Sequence, residues 1–482
     1  MEPLVEFAPD LPPTAPGVLL DVTDLIPTAR GYKGRQAPVS GGYPALAAAA
    51  NTLAVATKLD GSRRIFAGTS AALYEASGGA WIDRSDTGGY SIGVNRWGIA
   101  QFGNTTLAAA KAATLQASTS GAFAAVSGAP KASLIDTSSG FVMLADTNEA
   151  LYGDQSDRWY CSAYLDHTLW TPSVSSQCTT GRLIDAPGPI TALKALGSGF
   201  VAYKATAMWV GSYVGAPEVW QWTQVPGETG CAMPNGVVSM GSAHAFIGRD
   251  NLYVFDGARP IPIGDKIREW FFSQLNNTYA YRTIGAYDPI AGNVWWFYVS
   301  TNAAGTTPDR ALVFNVATGR FGRAQLDVEA AALYFQPGLT FDTIGSVYAT
   351  WDALPTDLAY DSPAWIAARP DMAVINTAHT LQTLTGESAS SSLLTGNFGD
   401  DDVFQTCRGV RPRFLREPKT AQMEHLYDDL YGDVFTARDP VGLYEGKWDT
   451  LWSSRWHRFR LSFTGDVEIN GIRPYLVQDG DA

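Results

Sequence analysis

Short apolar runs of strand length, punctuated by turn residues, recur along most of the chain. The clearest set lies in Gly236–Ile263, GVVSMGSAHAFIGRDNLYVFDGARPIPI. Val237–Met240 and Ala243–Ile247 are followed by the polar break Gly248-Arg249-Asp250. Asn251–Phe255 ends at Asp256-Gly257, which favours a tight hairpin because both residues accept positive φ. Arg259–Ile263 follows. Four short antiparallel strands cannot bury both faces alone, so they need similar sheets stacked on them, as in a propeller or another β-repeat array.

Comparable units recur about every 35–50 residues, the repeat range of propellers. The first comprises Leu53–Thr57, Arg63–Ala67, Ala71–Ala76 and Trp81–Ser85. The second comprises Arg96–Phe102, Thr105–Ala110, Thr114–Ala117 and Phe123–Val126. Phe141–Ala145, Ala150–Tyr152, Arg158–Ala163 and Leu169–Pro172 make a third; Ile190–Leu196, Phe200–Lys204, Ala207–Tyr213 and Val219–Val225 a fourth. Gly236–Ile263 is the fifth. Thr283–Tyr287, Val294–Ser300, Arg310–Val316 and Gly322–Leu326 give a sixth. Ala330–Phe335 and Ser346–Trp351, with or without a strand from the N-terminal region, would close a seventh.

Gly264–Leu275 carries an apolar stripe at Ile267, Trp270, Phe271 and Leu275 and predicts one helix packed on the rim. Residues 1–50 read as an extended arm, because Pro3, Pro9, Pro12, Pro13 and Pro16 forbid a continuous helix. Leu19-Leu20 and Leu25-Ile26 suit docking on the body or on a neighbouring subunit; a disordered tail is the alternative. Residues 51–358 are assigned to the propeller and 359–370 to a linker. Residues 371–482 form a further β domain, with strands at Met372–Ile375, Thr380–Thr385, Arg408–Leu415 and Gly442–Tyr444. In Trp456–Phe463, His457, Phe459, Leu461 and Phe463 alternate with Arg458, Arg460 and Ser462, giving one apolar and one basic face. Gly465-Asp466 then turns the chain into Val467–Ile472. The fold class is mainly β: a propeller of six to seven blades plus an antiparallel β domain, built from the C-terminal region alone or together with the N-terminal arm.

Hydrophobic residues make up 46% of the chain, without an apolar run long enough for a membrane-spanning helix. The first residues lack a basic segment followed by an apolar one, so no secretory leader is expected. Net charge is −13, which argues against tight gripping of nucleic acid but suits a conduit along which DNA slides. Cys161, Cys178, Cys231 and Cys407 form no CxxC pair. Buried free thiols are expected rather than a zinc site, with a Cys161–Cys178 bridge as the alternative.

Catalytic chemistry finds little support. No G-x-S-x-G elbow, H-x-x-x-H pair, Walker A or G-x-G-x-x-G loop occurs. His244 and His457 lie inside strand patterns and read as structural. The S-x-D-x-G-x-T-W turn of sialidase-type propellers is absent. Asp400-Asp401-Asp402 does not open an EF-hand, since Gln405 and Arg411 stand where that loop needs Gly and Glu. The chain is therefore expected to be no enzyme, with no cofactor, metal or catalytic residue. The basic positions Arg408, Arg411 and Arg413, near Arg416 and Lys419, and Arg458 and Arg460 are candidate contacts with a neighbouring subunit or with DNA in a channel. Salt-bridged sheet faces are the alternative. The aromatic residues Trp209, Trp220, Trp222, Trp295 and Trp296 motivate a second function class, a carbohydrate-binding or glycoside-cleaving propeller such as a receptor-binding tail protein.

Several stretches in one order resemble the tail nozzle, or packaged-DNA stabilisation, proteins of short-tailed bacteriophages. They are FAPDLPPTAPGVLLDVTDLIPTARGYKG (7–34), RWGIAQFGNTTLAA (96–109), GAPKASLI (128–135) and LDHTLWTPS (165–173). Further on come DNLYVFDGARPIPIGDKIREWFF (250–272), ALVFNVATGRFGRA (311–324), TWDALPTDLAYDSPAW (350–365) and SSRWHRFRLSFTGDVEINGIRPYL (453–476). The resemblance implies a homo-hexameric tube below the portal and its adaptor ring, with the propeller outside and β segments lining or extending the tube. It further implies a plug or needle at the tip, attached tail fibres or spikes, and transient contact with viral DNA. The expected location is the virion tail, assembled in the host cytoplasm without a membrane segment. A dodecameric adaptor component is a third possibility.

Overall fold

In the computed structural model, residues 2–3, 6–335, 350, 370–430, 432 and 434–481 are described. Seven sets of four antiparallel strands stand in a ring. Six are separate sheets, and the seventh, Ile284–Asp288 to Phe321–Gln325, begins a larger sheet. Each innermost strand packs on the next, from Ala50–Thr57 round to Ala330–Phe335, which returns to Ala50–Thr57. The fold is a β-propeller of seven blades.

Blades 1, 2, 4, 5 and 6 match the patterned runs closely: blade 4, for example, is Ala192–Leu196, Gly199–Tyr203, Met208–Gly215 and Val219–Gln224. Blade 3 differs. Its inner strand is Lys131–Ser138, and Phe141–Glu149, Gly153–Cys161 and Thr179–Arg182 follow. Ala150–Tyr152 is a turn, and Leu169–Pro172 lies in a loop. Trp170 gives that loop its apolar signal: it is buried, its Nε1 donates to His167 O and its carbonyl accepts from Tyr160 Oη at 2.8 Å.

Blade 7 is assembled from distant segments. Ala330–Phe335 pairs with Pro370–Ile375, which pairs with Leu381–Gly386, and the outermost strand is Ala37–Ser40 from the N-terminal region. The strands expected at Met372–Ile375 and Thr380–Thr385 thus belong to the ring and not to a domain starting at residue 371. Apart from Thr350 and Pro370, the Ser346–Trp351 strand and the 359–370 linker lie outside the described residues.

The second body is a sandwich. One sheet continues blade 6 through Leu25–Pro27 and Tyr32–Gly34 to Glu468–Asp481, Val403–Arg416 and Trp448–Ser454. The other runs Glu6–Phe7, Val18–Thr23, Ser390–Thr395, Trp456–Thr464 and Thr420–Asp428. Cys407, Val410, Trp448, Ile469 and Ile472 of the first meet Leu393, Met423, Phe459, Leu461 and Phe463 of the second in one core. That core also takes in Trp296, Leu312 and Phe314 of blade 6, so ring and sandwich share an apolar interior. Gly465-Asp466 turns the chain as expected, at a corner where it crosses from one sheet to the other, with Gly465 at φ 77°.

The arm joins both bodies. Tyr32 Oη accepts from Phe7 N at 2.7 Å and donates to Phe321 O of blade 6 at 3.0 Å. The helix α1 (Arg268–Gln274) is shorter than its stripe suggests, but Ile267, Phe271 and Leu275 are buried as that stripe requires. Its cap comes from the arm: Asp10 accepts from Glu269 N at 2.7 Å and Trp270 N at 2.9 Å. Phe7 meets the Trp270 ring edge-on, and Lys266 pairs with Glu6.

Candidate interaction faces

Strand alternation sends every second side chain to the outer face of each sandwich sheet. Along Trp456–Thr464 the apolar positions are buried while Arg460, Ser462 and Thr464 are exposed, as the sequence pattern requires. On Val403–Arg416, Cys407 and Val410 point inward, and Arg408, Arg411 and Arg413 lie exposed outside. The five candidate arginines therefore fall on opposite faces. Arg408, Arg411 and Arg413 share one, and Arg458 and Arg460 the other.

The Arg458 face is internally satisfied. Arg458 Nε and Nη2 reach Asn397 Oδ1 at 3.0 and 2.7 Å, and its guanidinium lies 4.0 Å from the Phe435 ring centre. Burial, with Arg460 nearby, lowers its pKa. Arg460 pairs with Glu424 at 2.6 Å. This face fits the salt-bridged alternative.

The Arg411 face is different in charge. Arg411 stands directly opposite Arg473 on the neighbouring strand, an unfavourable like-charge register. Lys447 is close enough for Arg411 to oppose its charge, although Asp449 at 2.8 Å holds it protonated. Ser453 and Thr406 hold the Asp479 carboxyl below its usual range, and Arg408 adds to this. Arg473 belongs to this face but lies beyond Val467–Ile472, where the apolar pattern ended. Arg416 and Lys419 are paired, with Asp466 at 2.8 Å and Glu387 at 2.6 Å. Val403–Arg416 and Glu468–Asp481 each have 14 residues. At about 3.3 Å per residue they form a wall roughly 45 Å long.

The remaining candidate chemistry is absorbed by packing. His244 Nε2 donates to Ala195 O at 3.0 Å, leaving Nδ1 to accept from Tyr203 Oη at 2.8 Å. Cys161, Cys178, Cys231 and Cys407 are buried free thiols, and burial pushes the first three up to about 12. Asp400 caps its own turn through Asp402 N, and Asp401 accepts from Trp456 Nε1 at 3.0 Å. Among the described residues no group of three or more His, Cys, Asp or Glu side chains is placed to hold a metal. Trp209, Trp220, Trp295 and Trp296 are buried, and Trp222 packs against the core of blades 3 and 4.

No family model matches the chain. No curated protein matches it. Among solved structures it is similar to the Neurospora crassa Pan2 WD40 domain, with 8% identity, covering 74% of this chain and 96% of that one at a TM-score of 0.38. It is also similar to YCF48 bound to a D1 peptide, with 13% identity, covering 58% of this chain and 84% of that one at a TM-score of 0.35. The propeller assignment rests on the ring of paired strands described above.

Proposed function

We propose that the chain is a structural, non-enzymatic component of a short-tailed phage tail. Six copies form a nozzle below the portal-adaptor ring, extend the DNA channel, retain the packaged genome and guide its ejection. Tail fibres or spikes attach to it, and a needle or plug closes its tip. The observation that supports this reading most is the long wall bearing Arg408, Arg411, Arg413 and Arg473 on a chain of net charge −13. A confined cationic band on an acidic body suits transient contact with phosphates, or docking against the acidic surface of the next copy. The ordered resemblance along the chain points the same way. The test is electron microscopy of the chain mixed with portal and adaptor proteins. Sixfold rings below the adaptor are expected; a chain that stays monomeric in that mixture overturns the reading. Trp209, Trp220, Trp295 and Trp296 are buried and offer no sugar platform.

A further inference from the structure

The inner strands of all seven blades begin around one cavity at the centre of the ring. Its lining runs from Asn51 of the first blade to Glu329 at the start of the seventh. Its volume is 640 Å³, within the roughly 300–1,000 Å³ usual for small-molecule sites. Four charged side chains line it: Arg96, Asp146, Arg282 and Glu329. The two acids are already engaged. Asp146 accepts from Lys111 Nζ and Ser133 Oγ, both at 2.5 Å, and Glu329 accepts from Ala50 N at 2.9 Å and faces His379 Nδ1 at 3.0 Å.

The two arginines have no such partner. Among the described residues Arg96 donates only to backbone carbonyls, Thr283 O at 3.2 Å and Arg282 O at 2.9 Å. A guanidinium has five N–H donors, so three of Arg96's remain. Among the described residues Arg282 reaches the Tyr281 hydroxyl at 3.4 Å, and its guanidinium lies 5.9 Å from the centre of that ring. Neither makes an ion pair among the described residues. Burial, with Arg282 beside it, pulls Arg96 down to about 10. Two adjacent cations in a partly enclosed cavity are costly unless an anion joins them. Tyr281 supplies an exposed aromatic ring to the lining.

We propose that this axial cavity binds a small carboxylate carried on a sugar ring, of the uronic-acid class. The carboxylate bridges Arg96 and Arg282, and the sugar ring lies against Tyr281. Such a site is independent of sixfold assembly, so either can fail without the other.

Isothermal titration of the full chain at low ionic strength tests the site, with sodium glucuronate, glucose and sodium acetate as probes. Saturable one-to-one binding of glucuronate is expected, with glucose and acetate at least about tenfold weaker, since each lacks one half of the recognition. Arg96→Gln and Arg282→Gln should each weaken glucuronate binding at least about tenfold. Arg282 ends a 3-10 turn with no buried residue, so its variant decides the matter if Arg96→Gln does not fold. Absent or equal binding of the three probes, or unchanged binding by Arg282→Gln, overturns the proposal.

Discussion

His425 Nε2 lies 2.9 Å from His457 Nδ1, and the two rings stack with centroids 5.1 Å apart inside the sandwich. Their neighbours fix the proton positions. His457 Nε2 faces Gln405 O at 2.9 Å and must donate to it, so His457 Nδ1 is an acceptor and His425 Nε2–H its donor. His425 Nδ1 then accepts from Thr450 Oγ1 at 3.0 Å. Every nitrogen is satisfied only while both rings are neutral.

Acid should therefore loosen the protein. Burial, and the proximity of His457, push His425 down to about 3; burial pushes His244 down to about 4 and lowers His457. These groups bind protons more readily when unfolded. The stability they contribute is complete above 6.5 and is lost as pH falls below it. Each should cost up to about 1.4 kcal/mol per pH unit until its folded pKa is reached. Denaturant midpoints at pH 7.5, 6 and 5 should fall in that order; a constant midpoint would contradict neutral histidines.

Blade 1 should be sensitive to loss of one carboxylate. Glu75 accepts from Arg64 Nε at 2.6 Å and Arg84 Nε at 2.7 Å, and Arg64 extends to Ser118 of blade 2. Burial pushes the Glu75 carboxyl up, but the two arginines outweigh it and hold it below its usual range. Glu75→Ala strands a buried guanidinium, and a loss of about 3–5 kcal/mol is expected by chemical denaturation. Leu59→Ala, a substitution at an exposed position in the same blade, should change little.

Tyr32→Phe should weaken the joint between arm and ring. The hydroxyl satisfies Phe7 N and Phe321 O together, and both would be left buried and unpaired. A loss of about 1–3 kcal/mol follows, with faster proteolysis of the arm.

Asp10→Ala removes a cap supplied from far away in sequence. Two amide groups at the start of α1 lose their acceptor, and the expected cost is about 1 kcal/mol. Hydrogen exchange should rise at Glu269 and Trp270 first; unchanged exchange there would refute the cap.

Arg411→Glu separates folding from assembly. It replaces a like-charge register opposite Arg473 with an attractive one, worth about 0.2–1 kcal/mol. Stability should be unchanged or slightly higher, while rings with portal and adaptor proteins should be lost. A variant that still forms them would remove this face from the interface.

Most blades were legible because their strands carry apolar runs with glycine or aspartate at the bends, as in Leu252–Phe255 before Asp256-Gly257. Lys131–Ser138 was not, since its inner position buries only Ala132 and Ile135. Gly465-Asp466 reads as a turn and no more, because local chemistry says nothing of which sheet receives the next strand. Arg408, Arg411, Arg413 and Arg460 were legible as exposed cations, and Arg458 is half-buried. Their division between two faces was not, because it depends on that same crossing. Arg96 and Arg282 carry no motif, and only ring closure places them side by side.

The strand Ala37–Ser40 has a consequence for the order of events during synthesis. It leaves the ribosome early, yet its mate Leu381–Gly386 is made hundreds of residues later, as are Ser390–Thr395 and Glu468–Ile469, which receive other parts of the arm. Until then these segments must wait unpaired, with edges open to wrong pairing. Closure of the ring thus works as a completion signal: a polypeptide stalled before Leu381 cannot seal its last blade.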